Sequence, residues 1–366
     1  MASVSIVGGG VIGLSIAYEC RKRGFEVTVI ESGVCGGQAS GAAAGMLAPY
    51  SEITEDPDDF FKLCQRSLNL YPDWVEHIMQ SSNESFEFSN CGSLYAIFHE
   101  ADLLSLEAKK RWQSEYGIQS YLLSGDEARE KEPLLSDDVY AALWCPAESH
   151  IYAPGYVKAL IQACRNAGVS IIEHAGEAEL VDGEPHLVST DKGLIKGDFI
   201  VLATGAWSQN WEKGLNCSLP VFPIRGQICA YDGPSLSHIV FTSQGYFVGK
   251  ENGTLIAGAS EDIAGFNTSV TEHGINRLES WSKKVLPDLR EERPFHKWAG
   301  LRPASQDGFP IIGKVIEKPS ILIASGHYRN GILLSPVTAE IIANEIEEMP
   351  QEIPIESFRP ERFQFV

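Results

Sequence analysis

The spacing of apolar residues changes twice within the first thirty positions. Residues 4–7 form a short apolar run typical of a strand, whereas Ile12, Ile16 and Cys20 recur at helical spacing. The helical spacing stops before a second apolar run, which ends at Glu31. This pattern predicts a strand, a helix and a second strand at the start of the chain, the βαβ arrangement of many nucleotide-binding proteins.

The rest of the chain also divides into helical and strand-like segments. Helical spacing recurs at residues 61–78 and 154–168, and a charged run at residues 100–112 indicates a solvated helix. Strand-like runs occur at residues 86–98, 198–202 and 219–262, and the last of these predicts antiparallel sheet. Residues 320–346 repeat the order of strand, glycine-bearing turn and helix. Two βα elements therefore lie near the ends of the chain, which predicts one domain built from both ends and a sheet-rich domain inserted into it.

A glycine-rich turn separates the first strand from the first helix. Gly8 permits the tight turn, Gly10 lets the backbone approach a pyrophosphate, and Gly13 lets helix and strand pack closely. Glu31 can accept hydrogen bonds from both ribose hydroxyls of an adenosine and would repel a ribose phosphate, which favours FAD or NAD over NADP. A purely structural turn is the alternative, but the flanking strand and helix are those of a nucleotide site. A secretory signal does not fit, because the basic residues 21–23 follow the apolar run.

Composition narrows the class of protein. The chain has 366 residues, 44% of them hydrophobic and 21% charged, enough for two domains or one interleaved fold. The net charge of −20 argues against nucleic acid as a partner, because phosphate binding needs clustered Lys and Arg. Eight cysteines are scattered without a CxxC pair, so we expect free thiols in the cytoplasm and no metal site. No apolar run approaches the ~18 residues that span a bilayer, so we expect no membrane partner.

Small residues dominate the segment after the second strand, GVCGGQASGAAAGMLAPY at residues 33–50. Backbone amides stay accessible where side chains are this small, so a flat ligand can lie against the segment. The same residues can equally form a close contact between helices. Residue types alone leave both alternatives open.

Several separated motifs occur in a recognisable order: VGGGVIG, GGQASGAAAGM, VLATGAWS, WAGLRPASQDGFPIIG and GHYRNGILLSP. Together they resemble the D-amino-acid oxidase class of FAD flavoproteins, most closely the bacterial glycine oxidases. The resemblance implies an α/β fold, with a Rossmann-like FAD-binding domain interleaved with an antiparallel-sheet-rich α+β substrate domain. It assigns residues 1–83, 146–216 and 296–366 to the FAD-binding domain, and 84–145 and 217–295 to the substrate-binding domain.

The resemblance also implies which residues hold FAD, without a covalent link. They lie in the glycine turn, after the second strand, in the small-residue segment, after a later strand and at the start of the last helix. The implied contacts are Gly8, Gly10, Val11, Ile12, Gly13, Glu31, Ser32, Ala39, Ser40, Ala44, Gly45, Met46, Glu177, His327, Tyr328, Arg329, Asn330, Gly331, Ile332 and Leu333. Glu177 stands where relatives commonly have Val, a change that a backbone contact tolerates.

Arg302, Tyr246 and Arg329 are the candidates for substrate binding and catalysis. A guanidinium binds a carboxylate through two parallel hydrogen bonds, and a tyrosine hydroxyl can add a third donor. The simpler alternatives are a surface ion pair for Arg302, a core position for Tyr246 and a solvent-facing helix start for Arg329. For His327 we expect a structural hydrogen bond instead of a general base. The sequence leaves open whether the acids at 261–262 line the site entrance.

The activity implied by the resemblance is hydride transfer from the α-carbon of glycine, sarcosine or D-alanine to the flavin. Dioxygen would then yield hydrogen peroxide, and the imine would hydrolyse to glyoxylate or another oxo acid and ammonia or an amine. A homotetramer and a role in making the thiazole part of thiamine are also implied. The alternatives are a sarcosine oxidase or D-amino-acid dehydrogenase of the same fold, a tRNA-modifying FAD enzyme, and a non-catalytic FAD-stabilised interaction protein. The acidic composition disfavours the tRNA enzyme, and an interaction protein would leave the Arg302 and Tyr246 pair unexplained.

Overall fold

The structure is a computed structural model that describes residues 1–53, 57–233 and 235–363. Its strands in these residues are β1 (Ser3–Val7), β2 (Glu26–Ile30), β3 (Met46–Leu47), β4 (Phe88–Ser89), β5 (Ser93–Ile97), β6 (Tyr121–Ser124), β7 (Ala141–Cys145), β8 (Ser149–Ile151), β9 (Ser170–Ile172), β10 (Glu179–Val181), β11 (Glu184–Thr190), β12 (Gly193–Lys196), β13 (Phe199–Leu202), β14 (Val221–Asp232), β15 (Ile239–Thr242), β16 (Gly245–Gly249), β17 (Thr254–Gly258), β18 (His296–Ser305), β19 (Ile311–Val315) and β20 (Lys318–Ser325).

The α-helices in the same residues are α1 (Val11–Lys22), α2 (Ala39–Ala42), α3 (Pro49–Glu52), α4 (Asp59–Ser82), α5 (Leu103–Glu115), α6 (Gly125–Lys131), α7 (Ala153–Ala167), α8 (Glu212–Leu215), α9 (Glu272–Val285) and α10 (Gly331–Glu347). Short 3-10 helices cover Glu100–Asp102, Gly205–Trp211, Pro287–Leu289, Glu356–Phe358 and Pro360–Phe363. The helices expected at 61–78, 100–112 and 154–168 are therefore present, with somewhat different ends.

The two chain ends meet in one sheet with the strand order β19-β20-β13-β1-β2-β9. Neighbouring strands from β20 to β9 pair in parallel, and β19 pairs with β20 in the antiparallel direction. Both faces of this sheet are covered, as its apolar strands require. Side chains of α1, α4, α7 and α10 join one core on one face, and a second core on the other face includes residues of β10, β11 and β12.

A larger sheet has the strand order β18-β14-β17-β16-β15-β5-β7-β6. Its pairs are antiparallel except β15 with β5, and it contains the strands expected within 219–262. A core formed with α9 lies on one face of this sheet. The α/β class and the sheet-rich insertion are thus present.

Strand β18 departs from the domain division drawn from the sequence. That division places residues 296–366 with the FAD-binding part, but β18 pairs along ten residues with β14 in the larger sheet. The reason is long-range pairing, because the apolar pattern of a strand does not show which sheet it joins. Elsewhere the division stays a prediction.

The single strand expected at 86–98 is also wrong, since β4 and β5 are separate and belong to different sheets. Gly92 lies between them in the left-handed region, with φ +72°, which breaks the extended run.

The ends of two helices follow ordinary capping rules. Helix α4 begins where the Asp58 carboxylate accepts a hydrogen bond from the Phe61 amide at 2.9 Å. Helix α7 is followed by Gly168, whose φ of +87° ends the helix.

Candidate active site

A cavity of about 510 Å³ lies between the two large sheets. Its walls come from the carboxyl ends of β1, β2 and β13, from residues 38–40 and 42–46, from the start of α10 and from β14, β16 and β18. Ligands of open α/β sheets bind at the carboxyl ends of parallel strands, and ~300–1,000 Å³ is the usual size of such sites. The cavity is therefore the candidate active site.

The glycine turn at one end of the cavity has no room for side chains. Gly8 has φ +110°, and a Cβ there would collide with the Ala203 carbonyl oxygen. A Cβ on Gly13 would collide with the Gly8 carbonyl oxygen, so helix α1 packs directly on the turn. The amide of Val11, the first residue of α1, donates to the Ser40 hydroxyl at 2.9 Å. The roles expected for Gly8 and Gly13 match this geometry.

Glu31 is held at the same end by the turn itself. One carboxylate oxygen accepts from the Gly9 amide at 2.7 Å, and the other accepts from the Gly33 amide at 2.9 Å. The Ser32 hydroxyl donates to the second oxygen at 3.2 Å. The carboxylate is thus fixed beside the cavity at the end of β2, where it can accept hydrogen bonds from ribose hydroxyls.

The small-residue segment lines the cavity, as the first alternative expects, and its close contacts are with neighbouring strands. Ala39, Ser40 and residues 42–46 line the cavity. A Cβ on Gly45 would collide with the Ile151 carbonyl oxygen, and one on Gly300 of β18 would lie 2.7 Å from the Ala42 Cβ. The segment therefore faces the ligand space and also packs closely against neighbouring backbone.

His327 precedes the last helix and is buried. Its Nε2 lies 3.0 Å from the Thr338 hydroxyl on α10, and burial lowers the pKa of the imidazole to about 3. A neutral, internally bonded imidazole fits the structural role expected for this residue. The next residue, Tyr328, has φ +46° and donates its amide to the Pro303 carbonyl at 2.8 Å.

Arg302 lies at the opposite end of the cavity from Glu31. Its Nη1 donates to the Ser260 carbonyl at 2.9 Å. The guanidinium lies over Gly226 of β14, where any Cβ would collide with it. The carbonyl fixes one nitrogen and the glycine supplies the space, so the plane of the guanidinium is set by the pairing of β14 with β18.

Tyr246 is buried on β16 beside Arg302. A Cβ on Gly258 would collide with the Tyr246 ring and lie 2.5 Å from its hydroxyl, so this glycine makes room for the side chain. Burial raises the pKa of the Tyr246 hydroxyl, while the positive charges of Arg302 and Arg329 oppose that increase. The hydroxyl is therefore a neutral donor at the same end of the cavity.

Arg329 carries two ion pairs. Its Nη2 donates to Glu52 at 2.7 Å and its Nη1 donates to Glu261 at 3.2 Å. The negative charge of Glu52 is the main reason that the pKa of Arg329 is raised. Asp262 instead accepts from Ser260, Gln227 and Arg225, so of the two neighbouring acids it is Glu261 that reaches the cavity residue Arg329.

The family model described as "FAD dependent oxidoreductase" matches residues 3–345. The chain belongs to this family. It is 32% identical over 344 residues to the glycine oxidase of Bacillus subtilis, which covers 93% of this chain and 92% of that protein. It is also 32% identical to the bifunctional protein ThiO/ThiG of Synechocystis, covering 99% of this chain and 54% of that protein. The glycine oxidase structure from Geobacillus kaustophilus superposes with a TM-score of 0.95 at 29% identity, over 99% and 98% of the two chains.

Membership of the FAD-dependent oxidoreductase family confirms the recognised class, the fold and the cofactor. The residues present fit FAD: Gly8 and Gly10 line the cavity where helix α1 begins, Glu31 lines it at the end of β2, and the same cavity reaches Arg302 and Tyr246. Within the described ranges, no group of three or more His, Cys, Asp and Glu side chains is placed to bind a metal ion. Nor does any helix in those ranges have the length and apolar character needed to cross a membrane.

Most of the expected FAD contacts line the cavity, but Gly13, Asn330 and Leu333 do not. Gly13 faces the Gly8 carbonyl, Leu333 lies in the core, and the Asn330 amide donates to the His327 carbonyl at 2.9 Å. Glu177 does line the cavity, together with its neighbours on both sides.

Sequence reasoning missed a second group of lining residues. They follow β13 or lie on the faces of β14 and β18, and they include Thr204, Gly205, Ala206, Trp207, Asn210, Trp211, Gly226, Ile228, Gly300, Leu301 and Pro303. The motif VLATGAWS contains four of them, and a signal was present: β13 is parallel to β1, so both strands end at the same edge. Glu52 had no such signal, because only its contact with Arg329 connects it to the site.

Proposed function

We propose that this protein oxidises glycine and other small amines such as sarcosine and D-alanine. The observation that carries the proposal is Arg302, which lies beside the Tyr246 hydroxyl and uses Nη1 for its hydrogen bond to the Ser260 carbonyl. A guanidinium set in this way binds a carboxylate in a defined plane. The similarity to two bacterial glycine oxidases supports the choice of substrate.

The protein's own part in the reaction is to bind and orient the substrate. Arg302 would hold the carboxylate and the Tyr246 hydroxyl would donate to it, which fixes the α-carbon relative to the cavity. FAD, when bound, supplies the acceptor for the hydride that leaves this carbon. His327 stays neutral and bonded to Thr338, so it holds the start of α10 and takes no proton from the substrate.

The reaction balances with dioxygen and water as co-substrates. One amine, one dioxygen and one water give one oxo acid, one ammonia or amine and one hydrogen peroxide. Glycine would give glyoxylate. Tyr246 is buried and lines the cavity, so its ring occupies space beside the substrate and small substrates should be preferred.

Anaerobic mixing with glycine, sarcosine, D-alanine and D-phenylalanine tests the proposal directly. We expect the first three to bleach the flavin absorbance and D-phenylalanine to do so poorly. Admission of oxygen should restore the colour and release hydrogen peroxide. A flavin that reoxidises only with a quinone would identify a dehydrogenase, and no bleaching by any small amine would reject the proposal.

We also expect the cofactor to be non-covalent, since no cysteine lines the cavity among the described residues and His327 is bonded to Thr338. Acid precipitation should leave the yellow colour in the supernatant. Colour retained by the precipitated protein would contradict this expectation.

A role in thiamine thiazole synthesis is part of the proposal, supported by similarity to the ThiO/ThiG protein, of which this chain spans about half. The homotetramer implied by the resemblance and the cytoplasmic location expected from the scattered cysteines stay predictions.

A further inference from the structure

Arg302 and Arg329 lie on adjacent backbone segments. Ala304 and His327 form an antiparallel bridge, and the Tyr328 amide donates to the Pro303 carbonyl. The chain turns at Tyr328, and both arginines line the cavity. The positive charges of both arginines act on the Tyr246 hydroxyl, so both side chains reach the same end of the cavity.

Two arginines in this arrangement would suit a substrate with two carboxylates. Each guanidinium can bind one carboxylate through parallel hydrogen bonds. In this protein, however, Arg329 already donates to Glu52 and to Glu261 through its two terminal nitrogens. The side chain of Glu52 is only 11% exposed, so this pair is the less accessible of the two.

We propose that Glu52 and Glu261 determine substrate specificity. Their ion pairs with Arg329 keep this arginine from binding a second carboxylate of the substrate. The inference rests on the proposed function, in which Arg302 binds the first carboxylate. The two acids balance the two arginines in charge, and a monocarboxylate then occupies Arg302 alone. The second carboxylate of a dicarboxylic substrate would meet two acids of its own charge and an arginine whose positive charge these acids already balance.

A pair of non-reacting ligands separates binding from chemistry. Diglycolate carries two carboxylates, and propoxyacetate has nearly the same shape with one carboxylate. Both can be titrated into the FAD-loaded protein, with the shift of the flavin absorbance as the readout. We expect the parent protein to bind propoxyacetate more tightly than diglycolate by ~10-fold or more, because a like charge is placed beside the two acids.

Glu261→Gln and Glu52→Gln remove one of the acids each while keeping side-chain size. Each should change the ratio of the two dissociation constants in favour of diglycolate by ~10-fold, with little effect on propoxyacetate. Glu261 is half-exposed, so its variant should fold even if that of Glu52 does not. Glu340→Gln is the matched control, since Glu340 pairs at 2.8 Å with Arg66, which does not line the cavity, whereas Arg329 does.

The same variants can be tested with reacting amines. Iminodiacetate and N-propylglycine differ in the same way as the two ligands, and the ratio of their anaerobic flavin-reduction rates should change in parallel. An unchanged ratio of dissociation constants in Glu261→Gln, or an equal change in Glu340→Gln, would overturn the specificity role. Glycolate, a smaller monocarboxylate, separates the two failures. If glycolate binds the parent protein and propoxyacetate does not, size and not charge excludes the longer ligands, and the specificity role is wrong. Failure of glycolate to bind would instead show that the Arg302 site, and with it the proposed function, is wrong.

Discussion

The two ends of the cavity are built from different parts of the chain. At the Glu31 end, the backbone of the glycine turn makes the wall, and the carboxylate itself is held by the Gly9 and Gly33 amides. At the Arg302 end, side chains from three separate segments make the wall. The charges of Arg302 and Arg329 and the acids paired with Arg329 determine its electrostatics. The first end tolerates almost no added atoms, whereas the second depends on which side chains meet.

Because of this difference, substitutions at the two ends should impair the protein in different ways. A change at the Glu31 end should weaken cofactor binding, because backbone atoms cannot move without shifting α1 against β1. A change at the Arg302 end should leave the cofactor bound and alter substrate affinity or flavin reduction. The experiments on Arg302, Gly13 and Tyr246 therefore measure both FAD binding and the response to glycine.

Arg302→Ala should have the largest effect. It removes a charge-assisted bidentate contact, whose two bonds contribute ~1.5–3 kcal/mol each, so apparent glycine affinity should fall by roughly 10²-fold or more. Flavin reduction should also slow, because the same contact orients the α-carbon. Stopped-flow reduction over a wide glycine range measures both quantities. Arg302→Lys should recover only part, since an ammonium cannot reproduce the planar fork.

The parent's FAD absorbance should persist in Arg302→Ala. Loss of FAD from this variant would place Arg302 among the cofactor contacts, and an unchanged rate and affinity would remove it from the site.

Gly13→Ala should weaken FAD binding and leave glycine binding little changed, the reverse of Arg302→Ala. The new Cβ would collide with the Gly8 carbonyl oxygen, and overpacking of this kind costs roughly 1–3 kcal/mol. FAD affinity should fall by roughly 10- to 100-fold, measured by fluorescence of released flavin, with glycine affinity little changed in the fraction that stays loaded. Gly233→Ala is the control, because a Cβ there meets nothing within 4 Å. Full FAD retention by Gly13→Ala would mean that helix and turn are less tightly packed than the contact requires.

His327→Gln tests whether the buried imidazole is structural. The unfolded chain takes up this proton below its ordinary pKa of 6.5, whereas the folded protein does so only near pH 3. Between these values the unfolded state binds more protons, so acidification lowers the free energy of unfolding. Replacing His327 should reduce the difference in stability between pH 7 and pH 5 by about 2 kcal/mol.

Urea unfolding of the FAD-loaded protein at both pH values measures that difference, with exposed His99→Gln as the control. The pH profile of flavin reduction should stay as in the parent protein. A displaced profile would show that His327 exchanges a proton during the reaction.

The contrast between the two ends also explains which parts of the fold and the site could be predicted from the sequence. The glycine turn, Glu31 and the helices follow from local spacing, and their structure is close to the prediction. Arg302 and Tyr246 were found only through resemblance to a family, because their meeting depends on strand pairing between β14, β16, β17 and β18. Glu52 was missed because its partner Arg329 is 277 residues away. For the same reason β18 was assigned to the FAD-binding domain, because the local sequence does not show that this strand pairs with β14.

Tyr246→Phe should have the smallest effect of the four. The phenyl ring keeps the packing against Phe241 and Gly258, and only the hydroxyl is lost. Since Arg302 still provides the main contact, the loss of one hydrogen bond should weaken glycine binding by about 1 kcal/mol, or roughly fivefold. FAD should stay bound, and the limiting rate of flavin reduction should change little if the hydroxyl serves binding alone. Tyr95→Phe is a close control, because Tyr95 also packs against the Phe241 ring, at 6.5 Å between centroids, but does not line the cavity. Equal effects of the two substitutions would assign Tyr246 to packing, and the Arg302 end of the cavity would then recognise its carboxylate through the guanidinium without this hydroxyl.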